Sequence, residues 1–124
     1  MLPITVNTAE EGGLCPVRQV LANVTGKWQS LILLALEDGP ARFSGIRRLI
    51  GDITQRVLTE NLRALERDGY LTRTVLHGPP VEVHYTLTPL GEDMVAHFKP
   101  LVEFAARNHG AVVANRARYD AGER

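Results

Sequence analysis

The residues best suited to chemistry lie in the stretch ITQRVLTENLRALERDGYLTR, which runs from Ile53 to Arg73. Its leucines recur at helical spacing, at Leu58, Leu62 and Leu65, so one face of a predicted helix is apolar and must be buried. The opposite face carries polar side chains, which are Arg56, Thr59, Glu60, Arg63 and Arg67. A short helix with an exposed row of arginine, glutamine and threonine has the shape that enters a DNA major groove. The alternative is an ordinary surface helix whose charges are only solvated.

The chemistry of each side chain suggests its contact with DNA. Gln55 and Arg56 are predicted to read base edges, because amide and guanidinium groups can make paired hydrogen bonds to adenine or guanine. Glu60 has two interpretations, since a carboxylate either accepts from cytosine or repels phosphate. The other predicted contacts are to phosphates or, at a hairpin tip, to the minor groove or backbone: Thr54, Thr59, Arg63, Arg47, Arg48, Lys27, His77 and Gly78. For each of these predicted contacts, Gln55 and Arg56 included, the alternative is a solvated or internally paired side chain.

The charge of the chain is unevenly distributed. The formal net charge is zero, with 14 basic and 14 acidic side chains, which argues weakly against nucleic acid because phosphate contacts need positive charge. Between Arg42 and Arg73, however, seven arginines face four acidic residues, so this window carries a net charge of +3. The neutral total keeps one alternative open, in which the same exposed face binds a protein and no DNA.

Two short helices and a hairpin must position these side chains. Phe43–Ile50 is predicted as a helix that turns Phe43, Ile46, Leu49 and Ile50 inward, and Gly51 ends it. A tight turn then leads to the helix that Thr54 caps, which makes a helix-turn-helix.

The hairpin follows the second of these helices directly, in the place of a wing. Its strands are predicted at roughly Tyr70–His77 and Glu82–Leu87. Four residues of the second strand region are predicted to pack inward, and three alternate with them and face solvent. The inward set is Val81, Val83, Tyr85 and Leu87, and the outward set is Glu82, His84 and Thr86.

The first and last helices carry more apolar surface than one small domain can cover. Pro16 suits the first turn of a helix that runs to about Val24. Thr88 and Pro89 begin a last helix with two apolar rows, which predicts a partner surface. The two rows are Leu90, Met94, Phe98, Leu101 and Ala105, and Val95, Val102 and Phe104.

Length and composition limit the class of protein. At 124 residues with 44% hydrophobic residues, the chain fits one globular domain. There is no basic residue before Arg18, and the run Leu31–Leu36 is too short to span a bilayer, so a cytoplasmic protein without a membrane partner is expected. One cysteine allows neither an internal disulfide nor a cysteine-rich zinc site.

The sequence gives little support for an enzyme or for a metal-binding site. Cys15 could only be combined with His77, His84, His97 or His109, which lie on separate predicted elements. The sequence has no Gly-rich phosphate loop, HExxH motif or nucleophile elbow, and no close pair of metal ligands. We therefore predict a protein that is not an enzyme and that needs no cofactor or metal.

Four segments of the chain resemble the HxlR-type winged helix-turn-helix transcriptional regulators. They are CPVRQVLANVTGKW, LEDGPARFSGIRRLI, ITQRVLTENLRALERDGYLTR and PPVEVHYTLTPLG, in the expected order over residues 14–109. The resemblance implies a mainly α fold with a small β-hairpin (α+β), in which residues 14–109 form the winged domain with its dimerisation helices. Residues 1–13 are then expected to be a flexible arm and residues 110–124 a polar tail. The pattern departs from the family at Thr54, where serine is frequent, and at Gly45, which weakens its helix by roughly 1 kcal/mol relative to alanine.

The resemblance also implies function. A bacterial or archaeal homodimer would bind palindromic operator DNA, more often as a repressor than as an activator. Dimerisation would use the first and last helices, with Val17, Leu21, Met94, Phe98, Leu101, Val102, Phe104 and Ala105 at the interface. The effector could be a small molecule held near Trp28, Tyr85 and Phe98, although these aromatics also suit a plain core.

Cys15 stands where several family members carry an oxidant- or electrophile-sensing cysteine. A neighbouring cation such as Arg18, and a place just before a helix start, would lower a thiol pKa. The alternative is that Cys15, beside Leu14 and Val17, is a small buried hydrophobe. In a dimer, the sensing hypothesis takes the specific form of an intersubunit disulfide.

Overall fold

The computed structural model describes residues 16–24 and 26–122. Cys15 and the predicted arm over residues 1–13 lie outside the described residues. Within the described part, five helices and three strands follow one another along the chain: α1 (Pro16–Val24), α2 (Gln29–Ala35), β1 (Ala41–Arg42), α3 (Phe43–Ile50), α4 (Gln55–Arg67), β2 (Leu71–Leu76), β3 (Glu82–Leu87) and α5 (Pro89–Asp120). The predicted mainly α winged helix-turn-helix fold is confirmed.

Helix α2 lies at the centre of the core. It packs against α3, α4 and α5, and its residues Ile32 and Leu33 are fully buried. Helix α4 contributes Leu58, Leu62 and Leu65, each no more than 2% exposed. The predicted apolar face of α4 is therefore confirmed, and its burial against α2 fixes which face of α4 remains in contact with solvent.

The three strands form an antiparallel sheet in the order β1-β3-β2. Strands β2 and β3 make the predicted hairpin, with Leu71 opposite Leu87. Strand β1 was not predicted, because two residues show no alternation; it pairs Arg42 with His84. The predicted alternation of packed and wet residues along β3 is wrong. All six residues are half-buried, because β3 is the central strand and has a neighbour on each edge.

Side-chain hydroxyls cap the two helices that begin with threonine. Thr54 Oγ1 accepts a hydrogen bond from the Val57 amide at 3.2 Å. Thr88 Oγ1 accepts from the Gly91 amide at 3.1 Å. Both predicted caps are confirmed. At Gly91 the chain requires glycine, because a Cβ there would overlap the carbonyl oxygen of Tyr70.

Two further expectations from the sequence are wrong, one about a buried residue and one about the C-terminal segment. Leu49 was predicted to point inward, but it is 70% exposed at the end of α3. The polar tail predicted from residue 110 is not a separate segment, because α5 continues without a break to Asp120. The alanines at Ala111, Ala114 and Ala117 are strong helix formers and account for this continuation.

Candidate nucleic-acid interface

The solvent-facing side of α4 carries most of the predicted contacts. Gln55, Arg56, Glu60 and Arg63 are exposed, and Thr59 is half-buried. They occupy the face opposite the fully buried leucines, so the core holds the α4 backbone while these side chains remain accessible. This arrangement is what a helix inserted into a major groove requires.

Arg56 and Glu60 are paired along α4. The Arg56 Nε donates to Glu60 Oε1 at 3.1 Å, and the two side chains are 87% and 59% exposed. Glu60 therefore has a cationic partner on its own helix. Neither of its predicted interpretations included this contact.

The two threonine hydroxyls at the start of α4 differ in what they can still donate. Thr59 Oγ1 donates to the Gln55 carbonyl oxygen at 2.8 Å, so its proton is engaged within the helix. Thr54 Oγ1 accepts from the Val57 amide, which leaves its own proton for a phosphate oxygen. The predicted phosphate contact suits the geometry of Thr54 better than that of Thr59.

An open depression lies between α3 and the beginning of α4. Its lining residues are Phe43, Ser44, Arg47, Arg48, Gly51 and Gln55. The Arg47 Nε donates to the Ile53 carbonyl oxygen at 3.2 Å, so Arg47 holds the turn between the two helices. Arg48 is exposed and forms no ion pair with any residue in the described part of the chain. The structure therefore brings Gln55 together with two predicted phosphate-binding arginines.

A cleft of about 410 Å³ lies on the other side of α4, against the sheet. It is lined by Thr59, Leu62, Arg63, Glu66, Arg73 and Tyr85. Arg73 was not among the predicted contacts. It pairs with Tyr85 across β2 and β3, and this pairing brings it close to the Arg63 side of α4. The sequence showed the arginine, but only the strand register shows that it faces the same cleft.

Lys27, His77 and Gly78 line neither of these two cavities. The Lys27 Nζ lies 4.5 Å from the centroid of the Trp28 ring, just before α2. This contact is a cation–π interaction within the chain. His77 and Gly78 are exposed between β2 and β3, where the Pro79–Pro80 peptide bond is cis. Their DNA contacts stay predictions.

The predicted dimer residues are divided between surface and core. Leu101, Val102 and Phe104 are 60%, 47% and 53% exposed, and Leu21 is 49% exposed. Val17 is half-buried, whereas Ala105 is exposed. Phe98 is only 7% exposed and belongs to the core, against which Met94 packs. Within the described chain Phe98 lines a groove, and its place at a dimer interface stays a prediction.

This groove lies between α2 and α5 and has a volume of about 180 Å³. It is lined by Ser30, Leu31, Leu34, Phe98, Leu101 and Val102, nearly all apolar. Tyr85 lies instead in the cleft beside α4, and Trp28 lines neither cavity. The three aromatics that were predicted to share a small-molecule pocket therefore line neither cavity together, and all three belong to the core or pack against it.

Two further features concern metals and membranes. In the described ranges, no three His, Cys, Asp or Glu side chains stand close enough to hold a metal ion. No helix in these ranges combines the length and apolar character needed to cross a membrane.

Comparisons with known proteins agree with this geometry. The family model described as HxlR-like helix-turn-helix matches residues 23–112. YtfH of Escherichia coli (strain K12), an uncharacterized HTH-type transcriptional regulator, is 42% identical over 111 residues, covering 86% of this chain and 88% of YtfH. The structure of ytfH from Salmonella typhimurium is 43% identical with a TM-score of 0.77, covering 84% of this chain and 93% of that one.

A second solved structure, the redox regulator HypR in its oxidized form, is 38% identical with a TM-score of 0.72. The match covers 76% of this chain and 97% of HypR. Family match, relatives and architecture point the same way, and this chain belongs to the HxlR-like helix-turn-helix family of transcriptional regulators.

Proposed function

We propose that this chain represses transcription in the cytoplasm by binding palindromic operator DNA as a homodimer, with residues 14–109 as the regulatory domain. The observation that carries the proposal is the solvent-facing row of α4, held on a helix whose other face is fully buried. Arginines lie on both sides of this row, with Arg48 in α3 and Arg73 in β2. Cations on both flanks of a reading helix suit the two phosphate strands that border a major groove.

The homodimer is supported by the apolar residues that α5 leaves uncovered. Leu101, Val102 and Phe104 are about half exposed, and Val112 and Val113 are 38% and 47% exposed further along the same helix. A long helix with this much exposed apolar surface is typical of a protein interface. Two-fold symmetry would then present two copies of α4, and a palindromic operator has the matching symmetry.

Repression is the simplest consequence of operator binding, because it requires only that the operator stay occupied. A repressor only has to remain on its operator, and paired reading helices with a dimer interface supply what occupancy requires. The position of the operator relative to the promoter decides whether occupancy represses or activates, so a promoter-fusion assay with and without the gene tests this part.

A DNA titration tests the central claim. The purified chain is titrated against its own upstream intergenic DNA and against unrelated DNA of equal length, at two salt concentrations. We expect selective binding that weakens steeply with salt, because each phosphate contact releases counterions. Arg63→Ala and Arg73→Ala should each reduce the magnitude of the slope of log affinity against log salt by about one. Equal, weak binding to both DNAs would instead favour a winged-helix module that binds protein.

Regulation by oxidants is a second part of the proposal, and the similarity to HypR favours it, since HypR is described as a redox regulator. Cys15 is the single cysteine of the chain. Two Cys15 thiols in a dimer would form a disulfide by transferring two electrons and two protons to the oxidant. Treatment with diamide should produce a cross-linked species on a non-reducing gel and change DNA affinity. Cys15→Ser should abolish both effects, and a wild-type chain that shows neither would exclude this form of sensing.

A further inference from the structure

We propose that Glu60 is a positioning residue, which orients Arg56 to read a guanine and so sets the base preference at one position of each operator half-site. The inference rests on the proposed DNA-binding function. It assigns Glu60 a role through Arg56, without a contact of its own to the DNA.

The contact between Arg56 and Glu60 leaves the two Nη groups of the guanidinium free to bind DNA. The hydrogen bond to Glu60 Oε1 comes from the Arg56 Nε, at 3.1 Å. The two terminal Nη groups therefore remain available as a planar pair of donors. Such a pair matches the O6 and N7 acceptors on the major-groove edge of guanine. Arg56 is 87% exposed, so no residue of the described chain covers it.

An acidic residue at position 60 is unfavourable for phosphate contacts and adds little to the stability of the helix. A carboxylate on a DNA-facing surface repels phosphates. The helix dipole stabilises an acidic residue only in the first turn of a helix. Helix α4 begins at Gln55, so Glu60 lies beyond that turn and gains little from the dipole. With the basic residue first and the acidic residue four positions later, the pair also has the less stabilising order for a helix. A role in recognising a DNA base therefore explains Glu60 better than a role in stabilising α4.

Restricting the Arg56 side chain before binding should reduce the entropy cost of its contact with DNA. A long arginine side chain samples many rotamers, and binding DNA through it requires one of them. Pairing with Glu60 restricts the free side chain before DNA arrives, so less conformational freedom is lost on binding. The restriction acts only on contacts made through Arg56, so it should affect preference at one base pair and leave the others unchanged.

The test is selection from a library of DNA duplexes with randomised half-sites, followed by sequencing. The full chain is compared with Glu60→Ala, Glu60→Gln, Arg56→Ala and the double alanine variant. Wild type should prefer G·C at one half-site position by about ten-fold. Arg56→Ala should remove this preference, and Glu60→Ala should reduce it to about two-fold or less, as one partner of a paired contact is lost. Glu60→Gln should keep most of it, because the amide oxygen can still accept from Nε.

Overall affinity separates positioning from charge. Both Glu60 variants should bind random DNA more tightly to the same extent, because both remove one negative charge. If Glu60→Gln loses the base preference as fully as Glu60→Ala, the effect is one of charge and the inference is overturned. Thermal unfolding midpoints should be similar for all variants, since both side chains are exposed.

The double variant separates positioning from direct readout. Where Arg56 is already alanine, Glu60→Ala should change the base preference no further. A loss at a different base pair would mean that Glu60 reads its own base, which overturns the inference. A wild-type chain that selects a sequence but is insensitive to Glu60→Ala also overturns it, while the proposed function stands. A wild-type chain that selects no sequence overturns both.

Discussion

Leu62 in α4 and Leu101 in α5 are the same kind of side chain on helices of one protein, yet Leu62 is 2% exposed and Leu101 is 60% exposed. The difference extends to the regions around them. We call α2–α4, the sheet and residues 89–99 of α5 the head, and α1 with residues 100–120 of α5 the arms. The largest buried side chains lie in the head, whereas apolar side chains of the arms remain largely exposed. The head contains the buried core of the described chain, whereas exposed apolar side chains on the arms are typical of an interface with a second surface.

The largest expected effect is the loss of a head leucine. Leu62→Ala should lower the free energy of unfolding by about 2–5 kcal/mol, because it leaves a cavity in a close-packed core. The loss should be the same at low and high protein concentration in urea denaturation. Leu101→Ala is the matched control, and its loss should appear only at concentrations where a dimer forms. A concentration-independent loss for Leu101→Ala would break the comparison, because it would place Leu101 in the core of its own chain.

A charged residue on the arms should separate the subunits without unfolding the head. Phe104→Asp should raise the dimer dissociation constant at least about thirty-fold, because it removes an aromatic contact and would bury a charge. Analytical ultracentrifugation measures this constant, and circular dichroism checks that the chain stays folded. Ala106→Asp adds the same charge about 200° further around the helix, and it should have a much smaller effect. Equal effects of the two variants would show that the face carrying Phe104 is not the interface.

A smaller effect within the head concerns the cap of α4. Thr54→Ala should lower the free energy of unfolding by about 1 kcal/mol, because the Val57 amide loses its acceptor. Thr54→Ser keeps the hydroxyl and should restore most of the stability in the same denaturation measurement. If the serine variant is as unstable as the alanine variant, the methyl group of Thr54 matters and the cap does not.

Much of the head could be predicted from short stretches of sequence. The α4 leucines repeat at helical spacing and are buried, because a 3.6-residue period and one apolar face determine each other. Thr54 and Thr88 were identified as caps because a cap depends on the next three residues only. Such features need no knowledge of the rest of the chain, and the same is true of the exposed row on α4.

Features that depend on distant residues could not be predicted. Strand β1 exists only because β3 pairs with it, and two residues carry no period of their own. Leu49 follows the apolar pattern of α3, yet the described chain leaves it 70% exposed. Phe98 and Leu101 belong to one predicted row, and only the packing of α2 on α5 shows where the core ends along it. Arg73 reaches the α4 cleft through its register with β3.

The smallest expected change in the free energy of unfolding concerns a glycine inside a helix of the head. Gly45 lies within α3, its backbone φ is not positive, and an added Cβ would meet nothing within 4 Å. Gly45→Ala should therefore raise the free energy of unfolding by about 0.8–1 kcal/mol, since alanine loses less backbone entropy in a helix. Gly91→Ala is the matched control, and it should destabilise the protein because its Cβ overlaps the Tyr70 carbonyl oxygen. If Gly45→Ala destabilises as well, α3 must be packed against a surface that the single chain does not contain, and the boundary between head and arms would have to include α3.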